Sequence, residues 1–193
     1  PAATGVEPQD GSPANTPLDQ LPLPEAGKTY NNPKSRDEVQ DGGTLTQPIT
    51  EIGPQWNYYS LQGNTSYMNI LFGLINPRDL FYSNVEGSKF EANKNYVKDY
   101  KVEDKDGKQV VTLTFTDQAK FNDGTEIDWT ALQTAYICLS GQNEAFEVSS
   151  TDGYDKIESV EQGDNAKTAV ITMKEPVYPV EQVLGYALHP KLQ

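Results

Sequence analysis

Apolar and polar positions recur along this chain with two different periods, and the changes of period mark out its elements. Tyr67, Ile70, Leu71 and Leu74 fall at i, i+3, i+4 and i+7 behind Asn64-Thr65-Ser66. That spacing predicts a helix with one apolar face, started by the capping residues and stopped before Pro77. Further on, Tyr96, Lys98, Tyr100 and Val102 lead into Asp104-Lys105-Asp106-Gly107. Beyond it Val111, Leu113 and Phe115 alternate with Thr112 and Thr114. Period-two alternation on both sides of an Asp-Gly turn predicts an antiparallel hairpin with one face buried and one wet. A second tight turn follows at Phe121-Asn122-Asp123-Gly124-Thr125. Thr130 and Gln133 then make a T-x-x-Q capping box, with Thr130 as the N-cap of a helix bearing Leu132, Ala135, Tyr136 and Leu139; Gly141 ends it. Ile157 to Glu161 and Thr168 to Met173, joined across Gly163-Asp164-Asn165, predict another strand pair, which Glu175-Pro176-Val177 stops. Val180 to Tyr186 reads as the start of a further helix. Ahead of all these, Gly43-Thr44-Leu45-Thr46 reads as a short strand, and Pro48 to Tyr59 as an irregular aromatic-rich stretch. The pattern is that of an α+β unit of antiparallel hairpins and two or three helices.

Composition changes the picture at the N-terminus. Residues 1–36 hold seven of the thirteen prolines and a single aromatic, Tyr30. Such a segment cannot bury enough apolar surface to offset the entropy of ordering it, and it reads as a Pro-rich tether. It has no basic start followed by an apolar run, so no signal peptide is visible. A Pro-rich polar leader on an acidic chain resembles the spacer between a lipid anchor and a folded domain. In the remainder, two Trp, ten Tyr and six Phe supply material for a core.

Charge and chemistry narrow the function. Fifteen basic against 28 acidic residues give a formal net charge of −13, which repels nucleic-acid phosphates. No apolar run approaches the ~20 residues that a membrane-spanning helix needs. The lone cysteine, Cys138, excludes an internal disulfide framework and any Cys-rich metal site. The lone histidine, His189, stands beside Pro190 near the end of the sequence, where a surface loop is expected rather than a catalytic base. HExxH, GxSxG and GxxxxGK[ST] patterns are absent. Asp104-Lys105-Asp106-Gly107 fails as a calcium loop, because Lys108 and Phe115 occupy positions that need oxygen ligands. This inventory predicts no catalytic residue, no metal and no cofactor.

Three stretches together resemble the extracytoplasmic solute-binding proteins of ABC importers, oligopeptide- and dipeptide-binding class. The first is Gly42-Gly43-Thr44-Leu45 with Ile49-Thr50-Glu51-Ile52 and the Asn57-Tyr58 region. The second is Ala119-Lys120-Phe121-Asn122-Asp123-Gly124-Thr125-Glu126-Ile127, leading through Thr130-Ala131 to a helix with Tyr136. The third is the strand Thr168 to Met173 with Glu175-Pro176. The order is kept over residues 40–192. Glu126 stands where the family usually has proline, and Gln133 where it has aspartate.

The resemblance implies a type II periplasmic-binding-protein-like α/β fold, of which these residues are an N-terminal fragment. It assigns 37–48 to the first strand of the main lobe, 49–150 to a small accessory domain, and 151–193 to a strand pair returning towards the main lobe. It implies the substrate-binding component of an ABC transporter, extracytoplasmic, either a Gram-positive-type surface lipoprotein or periplasmic. Its partners would be oligopeptides or similar solutes and the membrane permease subunits. The residues it places against ligand are Thr50, Glu51, Ile52 and Tyr136, and Trp56 stands near the same segment as a fifth candidate. Thr50 to Ile52 offer backbone groups and a carboxylate for a ligand's amine; Trp56 offers a flat amphipathic surface. The competing expectation is a carbohydrate-binding or carbohydrate-active surface module, in which Glu51 with Asp123 or Asp128 mimics a carboxylate pair.

Overall fold

A computed structural model describes residues 16–20, 36–75, 80–83, 89–151 and 153–192. The chain divides between Gln47 and Pro48 into two units. In the first, short 3-10 turns occupy Leu18–Gln20 and Arg36–Glu38. The strand expected over Gly43–Thr46 does not form: Gly42 and Gly43 take φ of 89° and 97°, outside the β region, and no ladder runs along the exposed residues that follow. The expected tether, apart from 16–20 and residue 36, lies outside the described residues.

The second unit is built on an antiparallel four-stranded sheet. Its strands are β3 (Val97–Lys105), β4 (Lys108–Phe115), β5 (Ile157–Gln162) and β6 (Thr168–Met173), in the order β3-β4-β6-β5. The Asp-Gly hairpin forms as expected. Asp106 and Gly107 both have positive φ, 55° and 80°, which suits the tight turn to the strands' right-handed twist. The Asp104 carboxylate accepts the Gly107 amide at 3.0 Å.

One detail of register was not legible. The pairing shifts between Val97 and Asp99, so odd-numbered Val97 opposes Phe115 while even-numbered Tyr100 and Val102 oppose Leu113 and Val111. This bulge puts Val97 and Tyr100 on the same face. That face continues through Val111, Leu113, Phe115, Ala169, Ile171 and Met173, all essentially fully buried. Helix α2 (Trp129–Leu139) covers it with Ala131, Leu132, Ala135 and Leu139. The other face carries half-buried Thr112 and Thr114 and buried Thr168; the Thr114 and Thr168 hydroxyls lie 3.1 Å apart.

Helix α2 starts two residues earlier than the capping box predicts. Its N-cap is Asp128, whose Oδ1 accepts both the Thr130 amide at 2.9 Å and the Thr130 hydroxyl at 2.5 Å. A carboxylate two residues upstream out-competes the threonine, because it accepts more strongly and adds a favourable charge at the helix N-terminus. Gly141 follows the last turn at φ 73°, as expected of a helix-ending glycine.

Helix α1 (Ser66–Ile75) also forms where expected, capped by Thr65, whose hydroxyl accepts the Met68 amide at 3.3 Å. Its buried face differs: Met68 and Phe72 are inside while Ile70 is exposed. The mostly apolar sequence of α1 leaves more than one face able to pack, so the choice rests with its surroundings.

A short ladder of β1 (Phe81–Ser83) and β2 (Phe90–Ala92) was not anticipated. Near the C-terminus the expected helix shrinks to α3 (Val180–Val183), one turn after Pro179. Buried Gln109 pins the approach to it. Its amide donates to the Val177 carbonyl and accepts the Val177 N–H, both at 3.0 Å.

Candidate functional site

The stretch that follows Pro48 has no regular structure, yet its second half is firmly tied. Asn57 Oδ1 accepts the Tyr59 amide at 3.1 Å, and the Asn57 carbonyl accepts the Ser60 hydroxyl at 2.8 Å. Gly63 closes this turn: a Cβ there would lie 1.9 Å from the Asn57 carbonyl oxygen. The Leu61 amide donates to Glu147 O at 2.9 Å, and the Ser149 amide to Tyr59 O at 3.0 Å. Ser60 and Val148 thus form an isolated antiparallel bridge. Three tyrosines continue the anchorage: Tyr59 tilts on Tyr186 at 5.3 Å, and Tyr186 stacks on Tyr154 at 6.4 Å.

The first half is presented to solvent. Thr50 and Glu51 are exposed and Ile52 is 63% exposed. Trp56 is 59% exposed and rests edge-on against Phe72 of α1, centroids 6.2 Å apart at 87°. Tyr58 meets the same Phe72 ring at 5.6 Å. Trp56 therefore packs between loop and helix along one edge and keeps much of its surface accessible.

Tyr136 is placed differently. Its single hydroxyl proton is shared between the Glu158 carbonyl at 3.1 Å and Gln142 Oε1 at 3.2 Å. Glu158 sits at the irregularity where β5 slips register against β6 between Ile157 and Ser159. Tyr136 thus satisfies a carbonyl at a break in the ladder. Four of the five expected ligand residues share one segment; Tyr136 stands on α2 with its hydroxyl engaged elsewhere.

A cavity of about 340 Å³ adjoins the anchored half, lined by Gln55, Asn57, Leu61, Cys138, Phe146 and Glu147 among others. The immediate neighbours of Trp56 line it, while Trp56 and residues 50–52 do not. The 144–148 loop was not picked out by the sequence, since neither periodicity nor motif marks it. Cys138 is buried, its Sγ 3.7 Å from the Leu192 carbonyl, and burial pushes its thiol pKa up, away from the reactive thiolate.

Within its surface loop His189 is docked by two hydrogen bonds. Its Nδ1 accepts the Lys191 amide at 3.0 Å, so in the neutral ring Nε2 carries the proton towards Asp123 Oδ2 at 3.2 Å. The ring packs on Phe121 at 4.7 Å. Lys191 Nζ reaches the same Asp123 oxygen at 2.8 Å, and Asp123 Oδ1 accepts the Thr125 amide at 2.9 Å. These bonds, the Lys191 ammonium first, hold the Asp123 carboxyl well below the usual carboxylate range. Asp123 is thereby a turn and latch residue. Among the described residues no group of three or more His, Cys, Asp or Glu could hold a metal ion.

No family model matches the sequence. Over 138 residues the chain is 30% identical to the oligopeptide-binding protein OppA of Mycobacterium bovis, and equally to that of Mycobacterium tuberculosis strain H37Rv. The match takes in 72% of this chain and 23% of each relative, so the chain spans about a quarter of their length. In structure it resembles the periplasmic EDTA-binding protein EppA with a TM-score of 0.64 at 18% identity, over 75% of this chain and 27% of that one. It also resembles NikZ of Campylobacter jejuni, solved with Ni(L-His), with a TM-score of 0.54 at 17% identity, over 74% and 26%.

The fold is thus part of a type II periplasmic-binding-protein fold. The sequence relatives belong to the oligopeptide-binding group of ABC solute-binding proteins, and the chain is similar to them over part of their length. These relatives are binding proteins and not enzymes, in line with the non-catalytic reading of the sequence. Among the described residues no helix is long and apolar enough to cross a membrane.

Proposed function

We propose that this chain contributes one wall of a ligand site in the substrate-binding component of an ABC transporter, which captures extracellular oligopeptides or similar solutes for import. The observation that carries the reading is the solvent-facing segment 50–56, held in place by the Asn57–Gly63 turn and its bridge to Val148. An extended peptide can pair with such backbone whatever its side chains, which suits a receptor for mixed sequences. Glu51 supplies a carboxylate for the ligand's N-terminal amine, and Trp56 a flat surface for a side chain. Tyr136 acts at most from the edge, since its hydroxyl is engaged. The similarity to OppA over 138 residues supports the peptide class.

The remaining parts follow from the same reading. Residues 1–36 tether the folded part to the outer face of the membrane, as in a surface lipoprotein, or lead into a periplasmic domain. Residues 37–48 belong to the main lobe, 49–150 to the accessory domain, and 151–193 to the return. The second lobe closes over the ligand by hinge motion, and the permease subunits receive it.

The experiment compares free and N-acetylated pentapeptides on the intact protein by calorimetry, with and without Glu51→Gln. Glu51→Gln should weaken the free peptide about tenfold and leave the acetylated one unchanged. An equal loss for both peptides, or none, removes Glu51 from the site.

A further inference from the structure

Around α3 lies a feature that the transport reading does not use. Two adjoining cavities, of about 440 and 550 Å³, share Pro179, Gln182 and Tyr186 and so form one trough. Both volumes fall within the roughly 300–1,000 Å³ usual for small-ligand sites. None of residues 50–56 lines it.

The trough combines two kinds of surface. Tyr82 and Tyr178 line it while 51% and 82% exposed, so flat aromatic faces are left in water. Beside them stand the planar polar groups of Glu181 and Gln182 and the hydroxyl of Ser83. Glu181 is held in place. Its Oε1 accepts the Tyr100 hydroxyl at 2.9 Å, and the Phe81 ring packs edge-on against Tyr100 at 4.9 Å. Burial, and then the neighbouring carboxylate, push the Tyr100 pKa up to about 12, so this hydroxyl stays a donor at any ordinary pH. A carboxylate has about four acceptor sites, so one bond from Tyr100 leaves capacity for a ligand's hydroxyls.

We propose that this trough binds a neutral oligosaccharide, its sugar rings lying on Tyr82 and Tyr178 and its hydroxyls donating to Glu181 and Gln182. A pyranose ring has an apolar C–H face and a rim of hydroxyls, which is the complement of aromatic faces set beside planar acceptors. Anionic glycans are excluded by Glu181 and by the chain's net charge of −13. A proline-rich peptide would also use the tyrosine faces. It has no hydroxyl rim for the fixed carboxylate and the amide, so the sugar is favoured. This inference stands independently of peptide transport.

The test titrates the 193-residue chain with cellohexaose, maltohexaose, N-acetylchitohexaose and decaproline, followed by calorimetry. At least one sugar should bind at millimolar strength or better. Tyr178→Ala and Glu181→Gln should each weaken it about tenfold, and Tyr178→Ala should leave the melting temperature unchanged. The proposal is overturned if no sugar binds at about 10 mM, or if both variants bind the sugar as tightly as the unmutated chain. It is also overturned if decaproline binds, is lost with Tyr178→Ala, and the sugars do not bind.

Discussion

Replacing Asp128 with alanine tests how the central helix of this fold is started. Asp128 Oδ1 accepts two donors, the Thr130 amide at 2.9 Å and the Thr130 hydroxyl at 2.5 Å. The alanine variant leaves that amide without its cap and removes a negative charge from the helix N-terminus. Losing a cap of this type costs about 1–2 kcal/mol, and the charge contributes about 0.3–1 kcal/mol of it. At roughly 2–4 °C per kcal/mol for a domain of this size, the melting temperature should fall by several degrees. Asp128→Asn keeps the acceptor and should lose only the charge contribution. Thr130→Ala removes the hydroxyl but not the amide, so its cost should be smaller than that of Asp128→Ala. Because both donors meet one oxygen, the double variant should lose less than the two singles together. Urea melts of the four proteins give these values directly. A loss below about 0.3 kcal/mol for Asp128→Ala would refute the assignment, and a larger loss for Thr130→Ala would restore Thr130 as the cap.

Other outcomes are equally specific. Tyr136→Phe should cost about 1 kcal/mol of stability by exposing the unpaired Glu158 carbonyl, with peptide affinity of the intact protein little changed; the reverse pattern would make Tyr136 a ligand contact. Gly63→Ala should destabilise by roughly 1–3 kcal/mol in a chemical melt, because its Cβ would fall 1.9 Å from the Asn57 carbonyl oxygen. Tyr100 should titrate near pH 12 by ultraviolet difference spectroscopy. Its folded pKa is raised above the unfolded value of 10, so its contribution to stability is complete below about pH 10 and disappears as the pH rises towards 12.

Much of this architecture was legible because period and turn chemistry agree. The Asp106-Gly107 hairpin, the strand pair across Gly163-Asp164-Asn165 and the end of α2 at Gly141 each rest on local rules. What was not legible depended on choices between local alternatives. Asp128 and Thr130 both qualify as caps, and only the path of the incoming chain decides between them. In α1 most residues are apolar, so the buried pair Met68 and Phe72 could not be told from exposed Ile70. The bulge after Val97 leaves no mark in composition, yet it decides which side chains face the core. The β1–β2 ladder is three residues long on each side, too short for alternation to show. At the candidate site, the segment 50–56 was marked by resemblance. Its anchor, the bridge from Ser60 to Val148, joins residues 88 positions apart and has no local signature.

The account turns on residues 50–56 being one wall of a two-walled peptide site. The most direct measurement is calorimetric titration of a mixed tri- to hexapeptide pool into the 193-residue chain and into the intact protein of which it is read as the N-terminal part. One wall must still offset the ~4–15 kcal/mol lost on association, so the account predicts weak or no binding by the chain and micromolar or tighter binding by the intact protein. Micromolar binding by the chain alone would contradict it, and so would an intact protein that ignores every peptide in the pool.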